Sequence, residues 1–234
     1  MAHFPRPAAL RPTIRALLGT VRRLTSHLFP PRPDPRTPIQ RWHERAHQHG
    51  ARAVYNLGHG PEEMAQVTEK QRTVLLPLLR AQLRGDERLV LDLGCGPGRF
   101  TPALADLTHA RVIGLDPIPR LLELAPRHDA VEYRLMSEAQ IPMESSSVDV
   151  AWICLVLGGI HGLTLEQTVS EIRRVLRPGG LVFLVENTAD GGGDSFWAFR
   201  SVAAYQRLFR PIRLEHVHDY HDLGERISVL TGRS

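Results

Sequence analysis

Lysine is nearly missing from this 234-residue chain: Lys70 is the only one among 29 basic residues. The positive charge comes as arginine, and its excess over acid is concentrated in the first forty residues. The net charge of +4 therefore describes an N-terminal arm and not a basic face. Aromatic residues are scarce too, at 6%, and no basic run is interleaved with them as a base-stacking surface requires. Nucleic acid is thus not an expected partner. Two cysteines, Cys95 and Cys154, are too few for a disulfide framework and fit a reducing cytoplasm. No apolar run reaches the length of a membrane span, and the N-terminus lacks the unbroken apolar core of a secretion signal. These absences lead to the expectation of a cytoplasmic protein without an integral membrane segment.

What the chain does carry is centred on residues 89–99, Leu-Val-Leu-Asp-Leu-Gly-Cys-Gly-Pro-Gly-Arg. The aliphatic run ending at Leu93 predicts a buried parallel strand, and Gly94, Gly96 and Gly98 predict a tight turn into a helix. Glycine there leaves no Cβ between backbone and ligand, and amides at a helix start favour an anion or polar group. Asp92 stands inside the strand end, where a carboxylate needs a partner. The next strand, Ala110 to Leu115, ends in Asp116, placed to accept two ribose hydroxyls. A nucleotide-like ligand over the carboxyl ends of these strands is the natural inference.

With Asp116 and the later Arg-Val-Leu-Arg-Pro-Gly-Gly stretch, this loop resembles the class I S-adenosylmethionine (SAM)-dependent methyltransferases. The resemblance spans roughly Glu62 to Arg233. It implies a three-layer, Rossmann-like α/β fold: a seven-stranded, mostly parallel sheet with an antiparallel last strand. It also implies SAM as cofactor, held by Asp92, Gly94, Cys95, Gly96, Gly98, Asp116, Pro117, Ile118, Ser137, Glu138 and Cys154. Ile118 would cover one adenine face. Relatives often carry an aspartate where this chain has Ser137, and two histidines where it has Gly158 and Gly159. The histidine that could deprotonate an acceptor is therefore missing, with His161 next in line.

Three segments are expected: an arm over residues 1–38, a lid over 39–61 and the SAM domain over 62–234. Within the arm, Thr13 to Phe29 has an amphipathic helical pattern. A membrane-surface helix, an organellar address, and docking on its own domain or on a partner subunit in a homodimer all stay open for it. Residues 29–38 read as a stiff linker. In the lid, Trp42 and Tyr55 are candidates to face a sulfonium, or else packing anchors. Cys154 and Asn187, at later strand ends, complete the set of candidate catalytic residues. Further helices are expected over Glu62 to Arg84, Phe100 to Leu107, Ile118 to Ala125, Thr164 to Leu176 (capped by Thr164) and Trp197 to Phe209. His43 and His47 have the i,i+4 spacing of metal ligands, but no acid or cysteine completes a set. His216, His218 and His221 with Asp219 have a metal cluster's composition, and His216 and His218 would share a strand face, but they lie in the connection between the last strands, so no metal is expected.

The function expected is methyl transfer from SAM to a small-molecule acceptor. Two alternatives stand beside it. One is intramolecular cyclisation of SAM to azetidine-2-carboxylate with release of methylthioadenosine, as part of secondary metabolism. The other is a non-catalytic scaffold of the same fold.

Overall fold

A computed structural model describes residues 36–188 and 196–234. The expected arm helix and the glycine-rich stretch after Thr188 lie outside the described residues, and the fold is that of the unit Arg36–Ser234. Helix α1 spans Pro38–His49, one-turn 3-10 segments cover Gly50–Val54 and Pro61–Glu63, and α2 spans Met64–Arg80. The alternation then begins: β1 Leu89–Leu93, α3 Thr101–Thr108, β2 Arg111–Asp116, α4 Pro119–Leu122, β3 Val131–Leu135 and β4 Val148–Cys154. It closes with α5 Gly162–Val175, β5 Leu176–Asn187, α6 Val202–Leu208, β6 Glu215–Asp222 and β7 Glu225–Arg233.

The seven strands form one sheet in the order β3-β2-β1-β4-β5-β7-β6. All pairings are parallel except those of β7, which runs antiparallel to both neighbours. Strands buried on both faces explain the mostly apolar runs of β1, β2 and β4. Val90, Val112, Val150, Trp152 and Phe183 face α2 and α3, with Leu75, Leu79 and Leu104. Leu91, Leu93, Ile113, Ile153 and Leu184 face α5 and α6, with Val169, Ile172 and Tyr205. This is the expected three-layer fold with a single antiparallel strand at the end of the chain.

Several boundaries differ from the sequence reading, each for a local reason. Pro38 opens α1 and does not end a linker, because Thr37 caps that helix: its hydroxyl accepts from Gln40 N while the Gln40 side chain accepts from Thr37 N. Helix α5 starts at Gly162, before Thr164, with no side-chain cap. Trp197 and Phe199 precede α6, which begins only after Ser201 accepts from Ala204 N. At the strands' amino ends, buried Asp149 accepts from Arg88 N and Leu89 N and pairs with Arg177 Nε at 2.6 Å. This pins β1, β4 and β5 together and leaves the opposite edge for the site.

Candidate cofactor site

The site grows from the turn that leaves β1. Gly94, Gly96 and Gly98 have φ of +66°, +55° and +72°, a region that side chains rarely tolerate. A Cβ on Gly94 would meet the Val156 side chain at 2.6 Å, and one on Gly96 would meet Val54 at 2.9 Å. The loop therefore needs glycine both for its conformation and for close approach. Its amides are already employed: Cys95 N donates to Leu115 O, Gly96 N to the Asp116 carboxylate and Gly98 N to Cys95 O. The sequence reading had aimed such amides at a ligand; here they hold the loop's shape instead.

Two buried carboxyls flank the turn. Asp116, at the end of β2, accepts from Gly96 N at 2.9 Å and Ile118 N at 2.8 Å. Burial pushes its carboxyl up to about 6 despite those two amides. Among the described residues, Asp92 accepts only the Thr101 hydroxyl, at 2.6 Å. Burial, with the Asp116 charge added, pushes it up to about 7 against the pull of Thr101 and Arg99. A carboxylate this buried with one hydroxyl partner is suited to a cationic or hydrogen-bonding ligand group.

Residues 38–60 run across this edge as a strap. Ala46 and Ala53 pack with Ile118 and Leu121, and Val54 sits beside Gly96. Arg45 donates to Ala53 O and Tyr55 O, fixing the turn after α1. At its far end, His59 Nε2 meets Asp222 Oδ1 of β6 at 2.7 Å. Between these ends lies a polar cluster that sequence reasoning missed. Arg99 donates to Thr68 Oγ1 and Gln71 Oε1, and its guanidinium lies 4.2 Å from the Tyr55 ring centroid. Its only sequence signal was an arginine directly after the glycine loop.

Comparison with known proteins bears on the part of the chain that holds this turn. Residues 91–184 match the methyltransferase domain family. An uncharacterised methyltransferase of Mycobacterium bovis is 38% identical over 104 residues, which are 44% of this chain and 41% of that protein. The methyltransferase GfsG of Streptomyces halstedii is 31% identical over 147 residues, 60% of this chain and 52% of that one. The chain spans 39% and 41% of the length of the first curated relatives it matches. In fold, a solved SAM-dependent methyltransferase of Aquifex aeolicus superposes with a TM-score of 0.58 at 17% identity, covering 75% of this chain and all of that one. A Pyrococcus horikoshii protein gives 0.61, also at 17% identity, covering 74% and 94%. Over residues 91–184 the chain is similar to methyltransferase domains. The solved structures that it resembles in fold include SAM-dependent methyltransferases.

Within this region and its strap, the candidate residues gather unevenly. Asp92, Gly94, Cys95, Gly96, Gly98 and Asp116 do converge around one turn, with Pro117 half-buried beside them. Ile118 is 2% exposed, covered by Ala46 and Ala53, and so lies beneath the strap and not on an open adenine surface. Ser137 and Glu138 are exposed past the end of β3, where the Ser137 hydroxyl bonds to Gln140. Tyr55 gives its hydroxyl to a 2.7 Å bond with Thr68 and one ring face to Arg99, so that face already carries a cation. Trp42 stands in an aromatic cluster, 4.8 Å from Phe196 and 6.3 Å from Trp197. Burial raises the Cys154 thiol well above its ordinary range, more than Arg99 lowers it, which favours the thiol over the thiolate. Asn187 donates to Glu225 Oε2 at 2.7 Å, which ties it to the start of β7.

The histidine readings change as well. His216 and His218 do not share a strand face by simple alternation, because the pairing of β6 with β7 shifts register between them. His216 instead bonds to Asp219 at 2.7 Å. Among the described residues no cluster of His, Cys, Asp or Glu could hold a metal ion. None of the described helices is long and apolar enough to cross a membrane.

The unequal wiring of the two carboxyls gives a first prediction. A carboxyl whose folded-state value is raised penalises the fold once ionised. For Asp92 that penalty is full above about pH 7 and fades as pH falls from there toward the unfolded value of 3.8. Asp92→Asn should therefore raise the Tm of the ligand-free protein by a few degrees at pH 8, with a gain that shrinks by pH 4.5, while weakening SAM binding. Thermal melts of both proteins at the two pH values check it; an unchanged or lower Tm at pH 8 contradicts it.

Proposed function

We propose that this chain transfers a methyl group from SAM to a small-molecule acceptor at the carboxyl edge of β1, β4 and β5. The observation that carries this reading is the pair Asp92 and Asp116, buried on either side of a turn whose three positive-φ glycines bring the backbone close. Asp116 would hold the ribose hydroxyls, each of its oxygens keeping a lone pair beyond the one spent on an amide. Asp92 and Arg99, of opposite charge, would take the ammonium and carboxylate of the methionine portion. Bound there, SAM supplies a methyl already activated as a sulfonium, so the protein's work is alignment and exclusion of water.

The strap is the lid of this reading. It carries Val54 onto the glycine loop and is fastened by His59 to Asp222, so it shuts the edge from solvent and must part for ligand exchange. On the acceptor side, Trp42, Phe196 and Trp197 make an aromatic wall, which favours a small organic acceptor. Homodimer formation and a place in secondary metabolism belong to the same proposal. Two curated sequence relatives named by activity, GfsG and a malonyl-[acyl-carrier protein] O-methyltransferase of Enterobacter lignolyticus, are methyltransferases, which supports intermolecular transfer over cyclisation.

Calorimetric titration with SAM and S-adenosylhomocysteine is the direct test. Binding of both is expected, and no heat at about millimolar ligand would leave only the scaffold reading. Incubation with SAM alone should leave it intact; stoichiometric methylthioadenosine would replace methyl transfer with cyclisation.

A further inference from the structure

The chain leaves β4 through an unusual turn. Leu155 has φ of +57°, a left-handed conformation that a branched side chain adopts at a cost. The next three amides, Val156, Leu157 and Gly158, all point at one carboxylate, that of Glu186 at the end of β5, at 2.8, 2.6 and 3.2 Å. Glu186 is fully buried and also accepts the Tyr205 hydroxyl at 3.4 Å. The turn's carbonyls are held from the other side: Arg200 donates to Leu157 O and Ile160 O, both at 2.6 Å, and Ala198 N donates to Gly158 O at 2.8 Å.

This turn touches both halves of the proposed site. Val156 lies where a Cβ on Gly94 would be, and the Trp197 indole lies 2.3 Å from where a Cβ on Gly158 would be. A strained residue followed by three consecutive amides on one buried anion is an arrangement that relaxes once the anion is removed, since the stranded amides would seek other acceptors.

We propose that Glu186 is a positioning residue: by gathering the amides of residues 156–158 it seats Val156 against the cofactor loop and the aromatic wall against the same turn, so that cofactor and acceptor surfaces hold one geometry. The inference rests on the SAM-site reading above and extends it to a group that touches neither ligand. It assigns Gly158 and Gly159 a function of their own, since Trp197 needs the space that any side chain there would take.

The test is a double-mutant cycle in SAM binding, run by calorimetry well below the Tm on the wild type, Glu186→Gln, Val156→Ala and the double variant. Glutamine keeps one acceptor but turns an NH2 toward a backbone N–H. Each single change should weaken SAM about tenfold, and the double variant should lose no more than the worse single one, because both act through the same contact. A Glu186→Gln protein that melts earlier yet binds SAM as tightly as wild type has lost only stability, and the inference falls; additive losses sink it equally. Should Glu186→Gln fail to fold, unchanged SAM affinity in Val156→Ala overturns the inference alone. Amide hydrogen exchange at residues 156–158, followed without ligand, is expected to quicken in Glu186→Gln. A wild type that ignores SAM would refute the site reading, whereas unaltered exchange would refute the role of Glu186.

Discussion

Asp116→Ala is expected to weaken SAM binding at least about a hundredfold and to destabilise the ligand-free protein as well. The two losses have one cause. The Asp116 carboxylate is the acceptor for Gly96 N and Ile118 N, so alanine strands two amides inside a covered region, at roughly 1–3 kcal/mol each. The stranded amides belong to the glycine loop and to the segment beneath the strap, which are the surfaces proposed to meet the nucleoside. Asp116→Asn should fall between, since its oxygen serves one amide while its NH2 faces the other. The contrast with Asp92→Asn is the discriminating part. Both aspartates are buried and both are raised, but Asp92 answers to one side-chain hydroxyl and Asp116 to two backbone amides. Amide substitution should thus stabilise at position 92 and destabilise at 116. Denaturant midpoints and SAM titrations of the variants decide it; a gain of stability in Asp116→Asn would show that burial outweighs the amide bonds there too.

The largest effect on stability is expected from Trp152→Ala, at about 3–5 kcal/mol. Trp152 sits at the centre of β4, opposite Asp92 in the β1 register, and is 0% exposed. Its ring stacks on Phe183 of β5 at 4.8 Å and 5° between planes, and meets Phe100, at the head of α3, at 5.3 Å. Removing it empties the layer between the sheet and the helix after the glycine loop, so unfolding and loss of ligand should come together. Trp152→Phe should cost far less, under about 1.5 kcal/mol, because it keeps an aromatic ring and removes an indole N–H that has no hydrogen-bond partner among the described residues. Urea unfolding followed by circular dichroism checks both, and an alanine variant as stable as the phenylalanine one would refute the packing argument.

What could be read from the chain was whatever depends on near neighbours in sequence. Leu89 to Gly98 announced strand and turn, Asp116 ended its strand as expected, and the run of buried strands followed from their aliphatic composition. What could not be read depends on contacts between distant segments. Arg99 became central only once Thr68, Gln71 and Tyr55 had folded around it. Phe196 to Arg200 has helical composition, yet Ala198 and Arg200 are engaged by the turn at 157–160, which keeps that stretch out of α6. Glu186 looks like a polar residue at a strand end in sequence; only the fold reveals three amides converging on it.

The bond between His59 and Asp222 joins positions 163 apart. Synthesis runs from the amino end, so the ribosome delivers one half of this fastening early and the other after nearly all of the sheet has been made. A nascent chain can complete its glycine turn and first strands while the crevice still gapes. The order of translation alone thus postpones sealing until the hairpin that bears Asp222 has joined the sheet.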